Sequence, residues 1–174
     1  MIDEKSTKAE VFAAVQENGF ALECASEELR GDKEVVLVAV KQRGWALQYA
    51  SYGLRDDKEV VLAAVKNRGY ALQYASYELR DDKDVVLAAV ETNGMALECA
   101  SEELKGDKEV VLVAFWQDGR SLQYASEKLR GDREVGLEAV KQCGWAFEYV
   151  SHELIIEIAQ RGAESMRQEE KNDK

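Results

Sequence analysis

The sequence predicts an all-α protein, an α-solenoid of six 25-residue repeats with two helices each, followed by a C-terminal capping helix. Three observations predict this fold. The same pattern of letters returns every 25 residues, which is typical of stacked repeat units. Proline is absent, and the abundant Ala, Leu, Glu, Lys and Val favour helix. Apolar residues within each unit recur at helical spacing.

The period is marked by residues that return at one slot in each copy. A glycine slot holds Gly19, Gly44, Gly69, Gly94, Gly119 and Gly144. An aspartate slot holds Asp32, Asp57, Asp82, Asp107 and Asp132, and Thr7 fills it in the first copy. The predicted boundaries are a leader at 1–6, repeats at 7–31, 32–56, 57–81, 82–106, 107–131 and 132–156, and a cap with a charged tail at 157–174.

Capping residues define the two predicted helices of a unit. Asp32 and its equivalents are good N-caps, because a carboxylate accepts hydrogen bonds from the free amides of a first turn. Gly44 is expected to end the first helix with a positive φ angle, and a second helix is expected over about 45–55. Ser51 in that helix either bonds back to the preceding turn or caps a short final turn.

No unit can bury its apolar surface alone. The apolar arc of the first helix is far wider than a surface helix needs, and in repeat 2 it consists of Val35, Val36, Leu37, Ala39 and Val40. The units must therefore stack, which gives a solenoid. At the end of the array, Ile155, Ile156 and Ile158 are expected to cover the last repeat, and the capping helix is expected over about 157–166.

The repeat unit resembles a catalogued family. Its letters, D-K-E-V-V-L-A-A-V-K-x-x-G-x-A-L-x-Y-A-S-x-E-L-R, are similar to the short helical repeat known as domain of unknown function 4116, and the likeness covers residues 7–156. The resemblance implies all-helical tandem repeats, often in longer arrays. It implies no established activity and offers no catalytic residues to transfer.

Composition favours some partners over others. The net charge of −11 and the pI near 4.7 argue against nucleic acid, because phosphate binding needs clustered positive charge. The same charge favours a basic protein or peptide. No apolar run approaches the ~18–20 residues of a membrane span, so no membrane contact is expected. Three cysteines without CxxC spacing indicate free thiols in a reducing compartment, which predicts a cytoplasmic protein.

No constellation of residues predicts an enzyme, a cofactor or a metal site. The lone histidine, His152, occupies a varied polar slot and is expected to be solvated. Cys24 and Cys99 replace tyrosine in their repeats and are expected to be buried or half-buried packing thiols, whereas Cys143 is expected to be exposed. The acidic residues recur with the period, which indicates caps and solvated faces rather than a tuned acid–base pair.

Two basic slots meet at the repeat junctions. One holds Arg30, Arg55, Arg80, Lys105 and Arg130, and the other holds Lys33, Lys58, Lys83, Lys108 and Arg133. A phosphate-binding groove is one interpretation. Each basic residue stands near an aspartate and a glutamate, however, so the local charge is expected to cancel, and cations suit the C-terminus of a helix. The structural interpretation is favoured.

Aromatic residues mark the candidate binding surface. On a continuous second helix, Trp45, Tyr49 and Tyr52 are spaced i, i+4 and i+7 and face one direction. Tyrosine and tryptophan are favoured anchors of protein interfaces, and the candidate residues on this face are Trp45, Gln48, Tyr52, Tyr70, Gln73 and Tyr77. The alternative for Tyr49 and Tyr74 is that they pack between repeats as core.

Repeat 5 departs most from the pattern. Trp116 stands where lysine is usual and Arg120 where Trp or Tyr is usual, so both join the candidate binding residues. Phe115 replaces a valine, and Gly136 in the next repeat is expected to make room for it.

Together these features predict a non-catalytic scaffold that binds a protein or peptide through the second-helix face. The alternative is a structural module, or a fragment of a longer array, that only self-associates.

Overall fold

The computed structural model describes residues 2–142, 148–157 and 159–160. Every regular element in this part of the chain is a helix, which confirms the predicted all-α repeat fold. Each repeat begins with an α-helix, called the long helix below. The long helices are Lys8–Glu17, Lys33–Gln42, Lys58–Asn67, Lys83–Thr92, Lys108–Gln117 and Arg133–Gln142.

The predicted second helix is two separate helices. A 3₁₀ helix comes first, at Gly19–Cys24, Gly44–Tyr49, Gly69–Tyr74, Gly94–Cys99 and Gly119–Tyr124. A short helix follows, at Glu27–Arg30, Tyr52–Arg55, Tyr77–Arg80 and Glu127–Arg130, with a 3₁₀ turn at Leu104–Gly106 in repeat 4. The expectation of one continuous helix over 45–55 is therefore wrong.

The break falls at the alanine and serine between these two helices. Ala75 (φ −68°, ψ 159°) and Ser76 (φ −57°, ψ 163°) both have extended backbone. The Ser76 hydroxyl accepts a hydrogen bond from the amide of Leu79 at 3.2 Å, so the serine caps the short helix. Of the two roles left open for this serine slot, repeat 3 shows the cap of a short final turn. Ser51 itself stands at the N-cap of its short helix without a side-chain capping bond.

The repeats stack in two layers around a continuous core. Long helices pack against the long helices of neighbouring repeats, and 3₁₀ helices pack against neighbouring 3₁₀ helices. In repeat 3, Val60, Val61, Ala64 and Val65 of the long helix and Leu72 of the 3₁₀ helix are fully buried. Burying a valine or leucine side chain contributes about 1.5–3 kcal/mol. Because repeats 2 and 4 bury the same slots, the core runs from one repeat to the next.

A ladder of ion pairs joins the N-termini of successive long helices. Asp82 caps its helix by accepting from the amides of Asp84 and Val85. Lys58 of the preceding repeat lies 2.8 Å from the carboxylate of Asp82. The ladder lysines are Lys8, Lys33, Lys58, Lys83 and Lys108, and their partners are Asp32, Asp57, Asp82, Asp107 and Asp132. The predicted N-caps are confirmed, and each also ties two repeats together.

The corner between the long helix and the 3₁₀ helix needs glycine for close packing. No glycine in the described residues has a positive φ, so the expected left-handed conformation is wrong. A Cβ on Gly44 would lie 2.5 Å from the carbonyl oxygen of Ala64 in the next repeat, which is closer than real Cβ contacts come. Gly19, Gly69 and Gly94 meet the same carbonyl of their next repeats. The neighbouring backbone, not the local turn, therefore requires glycine.

The short helices are joined by a backbone hydrogen bond between repeats. The amide of Ser76 donates to the carbonyl of Arg55 at 2.9 Å. The equivalent bond is made by Ser51, Ser101, Ser126 and Ser151. The hydroxyl of Ser76 also donates to Asp56 of the preceding repeat at 2.5 Å, and Ser101 donates likewise to Asp81. In repeats 1, 4 and 5 that aspartate slot is occupied by Gly31, Gly106 and Gly131.

Repeat 6 differs from the expectations for it. The space at Gly136 is filled by Leu154 of the same repeat, which a Cβ there would strike, so the glycine does not make room for Phe115. Ile155 packs on the core, but Ile156 is 43% exposed, and its expected covering role is wrong. The remaining expectations here concern Cys143, Gly144, Ile158 and the cap beyond residue 160, which lie outside the described residues.

Candidate binding surface

The short helices carry the two most exposed aromatic side chains of the described chain. Tyr52 is 70% exposed and Tyr77 is 66% exposed. Each begins a short helix directly after the serine. The leucines two residues later, Leu54 and Leu79, turn toward the core instead. A helix of four residues presents its opposite sides to different surroundings, so the tyrosine faces solvent where the leucine faces inward.

An arginine at the end of each short helix lies over the tyrosine ring. The guanidinium carbon of Arg55 is 5.9 Å from the ring centre of Tyr52, and that of Arg80 is 6.0 Å from the ring centre of Tyr77. The i, i+3 spacing on a helix brings these side chains together. A cation–π contact at an exposed site contributes about 0.5–1 kcal/mol. The arginine thus holds one side of a ring that remains largely exposed.

These arginines are not neutralised by the acids next to them in sequence. No described carboxylate forms an ion pair with them, and the Nε atom has no hydrogen-bond partner and is sealed from solvent in Arg30, Arg55, Arg80 and Arg130. The neighbouring Asp57 is paired with Lys33. In the described residues, ion pairs are therefore formed by the ladder lysines and by Lys105, which pairs with Glu102 at 2.8 Å, but not by these arginines. The result is a row of guanidinium groups with unused donors.

Acidic pairs flank the two tyrosines along the solenoid. The tyrosine slot holds Glu27 in repeat 1 and Glu102 in repeat 4, and each is followed by a second glutamate, Glu28 and Glu103. All four glutamates are exposed. We call residues 27–30, 52–55, 77–80 and 102–105 the short-helix surface. It runs from an acidic repeat, through two aromatic repeats, to a second acidic repeat.

Trp45 and Tyr70 of the predicted face pack against other rings. Both are half-buried, and their ring centres lie 6.5 Å apart in a stacked arrangement. The Trp45 ring also meets Tyr74 edge-on at 6.0 Å. The side-chain amides of Gln48 and Gln73 donate to the carbonyls of Trp45 and Tyr70, at 3.1 and 3.2 Å. The expected continuous face is therefore wrong, since it divides into a ring-stacked 3₁₀ layer and the exposed short-helix surface.

Helix type explains this division. The spacing that aligned Trp45 with Tyr52 assumes one α-helix with 3.6 residues per turn, whereas a 3₁₀ helix has 3.0. Tyr49 in the 3₁₀ layer contacts Phe20 of the preceding repeat edge-on at 6.4 Å. Tyr74 makes the equivalent contact with Trp45. The alternative interpretation, that these two tyrosines pack between repeats, is confirmed.

A carboxylate joins the phenols of the 3₁₀ layer further along the array. The hydroxyl of Tyr70 donates to Glu98 at 2.9 Å. Burial raises the pKa of Tyr70, and the bond to Glu98 raises it further. The same two causes raise the pKa of Tyr124. Burial also raises the pKa of the Cys99 thiol to about 11. These groups are therefore protonated at neutral pH, which suits packing rather than nucleophilic chemistry.

The two candidates from repeat 5 lie on different elements. Trp116 is 56% exposed near the end of a long helix. Arg120 is the second residue of a 3₁₀ helix, and its Nη2 atom lies 2.6 Å from the carboxylate of Asp118. This contact lowers the pKa of Asp118. Neither candidate belongs to the short-helix surface.

Shallow depressions separate successive short helices. Arg30 and Tyr52 line one of about 380 Å³, and Tyr77 and Arg80 line another of about 240 Å³. Small-molecule sites typically enclose about 300–1,000 Å³. The first depression is at the small end of that range and the second is below it. They recur along the array, which suits single side chains of a long ligand.

Other chemical features of the described residues are few. They contain no group of three or more His, Cys, Asp and Glu side chains that could hold a metal ion. His152 is exposed. Cys24 is exposed, so the expectation that it is buried or half-buried is wrong. In repeats 2 and 3 the tyrosine in this slot is covered by a ring of the preceding repeat, and in the structure no repeat stands before repeat 1. None of the described helices is both long enough and apolar enough to cross a membrane.

The fold and this surface define an α-solenoid whose repeats share one core and differ on their short helices. Residues 11–55, 32–80, 57–105, 82–115 and 107–155 match the family model described as a domain of unknown function (DUF4116), and the chain belongs to that family. The resemblance seen in the sequence is confirmed. Comparison with curated proteins and with solved structures gives no match.

Proposed function

We propose that this protein is a non-catalytic scaffold that binds another protein or a peptide through the short-helix surface. The observation that carries the proposal is the exposure of Tyr52 and Tyr77 in consecutive repeats. The same slot holds Glu27, Glu102 and Glu127 in other repeats, so the fold does not require an aromatic ring there. Exposed tyrosine beside arginine is a composition typical of interface anchors.

The glutamates that flank the tyrosines and the net charge of the chain favour a basic partner. The exposed pairs Glu27–Glu28 and Glu102–Glu103 flank the tyrosines, and the whole chain carries a net charge of −11. A cationic partner would be steered toward this surface, and the encounter rate would fall as salt is added.

Affinity capture with matched variants tests the proposal. The wild-type chain, the Tyr52→Ala/Tyr77→Ala variant and Trp116→Lys are immobilised and exposed to a cell extract. Lysine already occupies the Trp116 slot in repeats 2 and 3, so that control should fold normally. We expect one set of proteins on the wild type and on Trp116→Lys, and its loss from the tyrosine variant.

The contrary outcomes are distinct. Equal capture by all three chains would contradict a role for the short-helix surface. Loss with Trp116→Lys alone would place the interaction on the long helices. Capture of further copies of the chain and nothing else would favour the self-association alternative.

A further inference from the structure

We propose that the short-helix surface binds a basic segment in the polyproline II conformation, with two prolines three residues apart that contact Tyr52 and Tyr77. This inference rests on the proposed function and names the conformation and chemistry of the partner. It predicts a ligand of the form basic-x-x-Pro-x-x-Pro-x-x-basic.

The spacing of the repeats suits this conformation. Long helices of adjacent repeats pack on each other, and packed helices lie about 8–10 Å apart, so successive repeats recur at about that spacing. The bond from the Ser76 amide to the Arg55 carbonyl links the two short helices within this stack. A polyproline II helix has three residues per turn and rises about 3.1 Å per residue, so residues three apart share a face at about 9 Å. Residues three apart in a β-strand point to opposite faces. Neighbours on the face of an α-helix are only about 5–6 Å apart.

The side chains of the surface supply what a polyproline II ligand needs. Such a helix has no internal hydrogen bonds, so its carbonyls are free to accept. The guanidinium groups of Arg55 and Arg80 donate no hydrogen bond to the described residues, and only their Nε atoms are sealed from solvent. Their terminal amino groups are therefore left to donate to those carbonyls. Proline rings packed on exposed aromatic rings are a recurrent mode of peptide recognition.

The flanking repeats fix the positions of the basic residues. Glu27 and Glu28 lie one repeat before Tyr52, and Glu102 and Glu103 lie one repeat after Tyr77. Glu102 already pairs with Lys105 at 2.8 Å, so Glu103 is the carboxylate that this repeat offers to a basic residue. One repeat corresponds to one turn of the ligand. A lysine three positions outside either proline would thus lie opposite an exposed carboxylate.

Two peptides that differ by one residue test the inference. The first is Lys-x-x-Pro-x-x-Pro-x-x-Lys with serine at every x, and the second has one more serine between the prolines, which rotates the second proline away from its tyrosine. Fluorescence anisotropy with the full chain should show the first binding at least about tenfold more tightly. The Tyr52→Glu/Tyr77→Glu variant, which places the glutamate of repeats 1 and 4 at both slots, should lose this binding although it gains negative charge.

Several results would overturn the inference. Equal affinity for both peptides, or tighter binding by the glutamate variant, would mean that charge alone recruits the peptide. Failure of the first peptide to bind a chain whose circular dichroism is helical would also overturn it. These results leave the proposed function standing, because that proposal is tested separately by affinity capture with the alanine variant.

Discussion

The corner of a repeat and its short helix are near neighbours in sequence but follow opposite rules. At the corner, Gly44 and Gly69 are buried, and the carbonyl of the next long helix leaves no space for any other residue. On the short helix, tyrosine and glutamate exchange freely at one exposed slot. The contrast separates the residues that hold the solenoid together from those that are available to a partner.

The largest expected effect on stability comes from comparing a methyl group added at the corner with one added in a short helix. Gly69→Ala should destabilise the fold by about 3 kcal/mol, because its Cβ would strike the Ala89 carbonyl and the backbone must shift. Gly53→Ala, in an exposed short helix with nothing near its Cβ, should stabilise the fold by about 0.5–1 kcal/mol. Urea unfolding of both variants measures the difference. Equal effects would show that the corner is not tightly packed.

The serine caps offer the next largest effect and a comparison between repeats. Ser76 accepts from the Leu79 amide and donates to Asp56, whereas Ser126 accepts only from the Leu129 amide in the described structure. Ser76→Ala should therefore cost about 2 kcal/mol, since a cap and a bond to a charged group are lost. Ser126→Ala should cost about 1 kcal/mol. If thermal or urea unfolding gives the same loss for both, the aspartate bond adds nothing.

The ion-pair ladder makes the stability of the fold depend on pH. Partial burial acts to raise the pKa of Asp82, but hydrogen bonds from Lys58 and the Val85 amide outweigh it, and the pKa lies below its usual value. The contribution of this carboxylate to the free energy of unfolding is therefore complete above its unfolded pKa of about 3.9. It is lost as the pH falls through the lower pKa of the folded state. Urea midpoints measured from neutral pH downward should fall in acid.

The Asp82→Asn variant is the control for that profile. Asparagine still caps a helix but cannot form the ion pair with Lys58. The variant should lose part of the acid dependence and should be slightly less stable at neutral pH. A profile identical to that of the wild type would show that the ion pair of Asp82 does not contribute to the acid dependence.

The smallest expected effect is a gain. Gly131 fills the slot of Asp56, has φ −92° and ψ −4°, and its Cβ would lie 3.5 Å from the Ser151 hydroxyl. Gly131→Asp should stabilise the fold by about 1 kcal/mol by installing the missing bond and restricting the unfolded chain. Gly131→Ala, which only restricts the chain, should gain less. Equal gains on urea unfolding would show that the new bond does not form.

Three repeating features were predicted correctly from the sequence. The period, the stacking and the aspartate caps follow from recurring letters and elementary helix chemistry, and the structure has all three. Contacts between repeats were harder to foresee. The requirement for Gly44 comes from a backbone one repeat away, and the unpaired state of Arg55 follows from Lys33 occupying Asp57. The break before Ser51 was open in the sequence, because a serine suits both a helix interior and a cap.

The break between the 3₁₀ helix and the short helix also explains why the candidate surface is divided. Trp45 and Tyr52 look alike on a single helical wheel, and only the break between them places one in stacked rings and the other in solvent. The glutamates in the Tyr52 slot of other repeats were the one sequence signal of this difference, since a residue that alternates with glutamate is hard to bury.

The central claim is that Tyr52 and Tyr77 serve binding and not the fold. It is tested most directly by measuring both properties on the Tyr52→Ala/Tyr77→Ala variant, with urea unfolding for stability and a titration against a captured partner for affinity. We predict a loss of about 1–2 kcal/mol in unfolding free energy, from the two cation–π contacts, and a loss of at least about 2 kcal/mol in binding. A variant that unfolds far more easily and still binds its partner would contradict the claim.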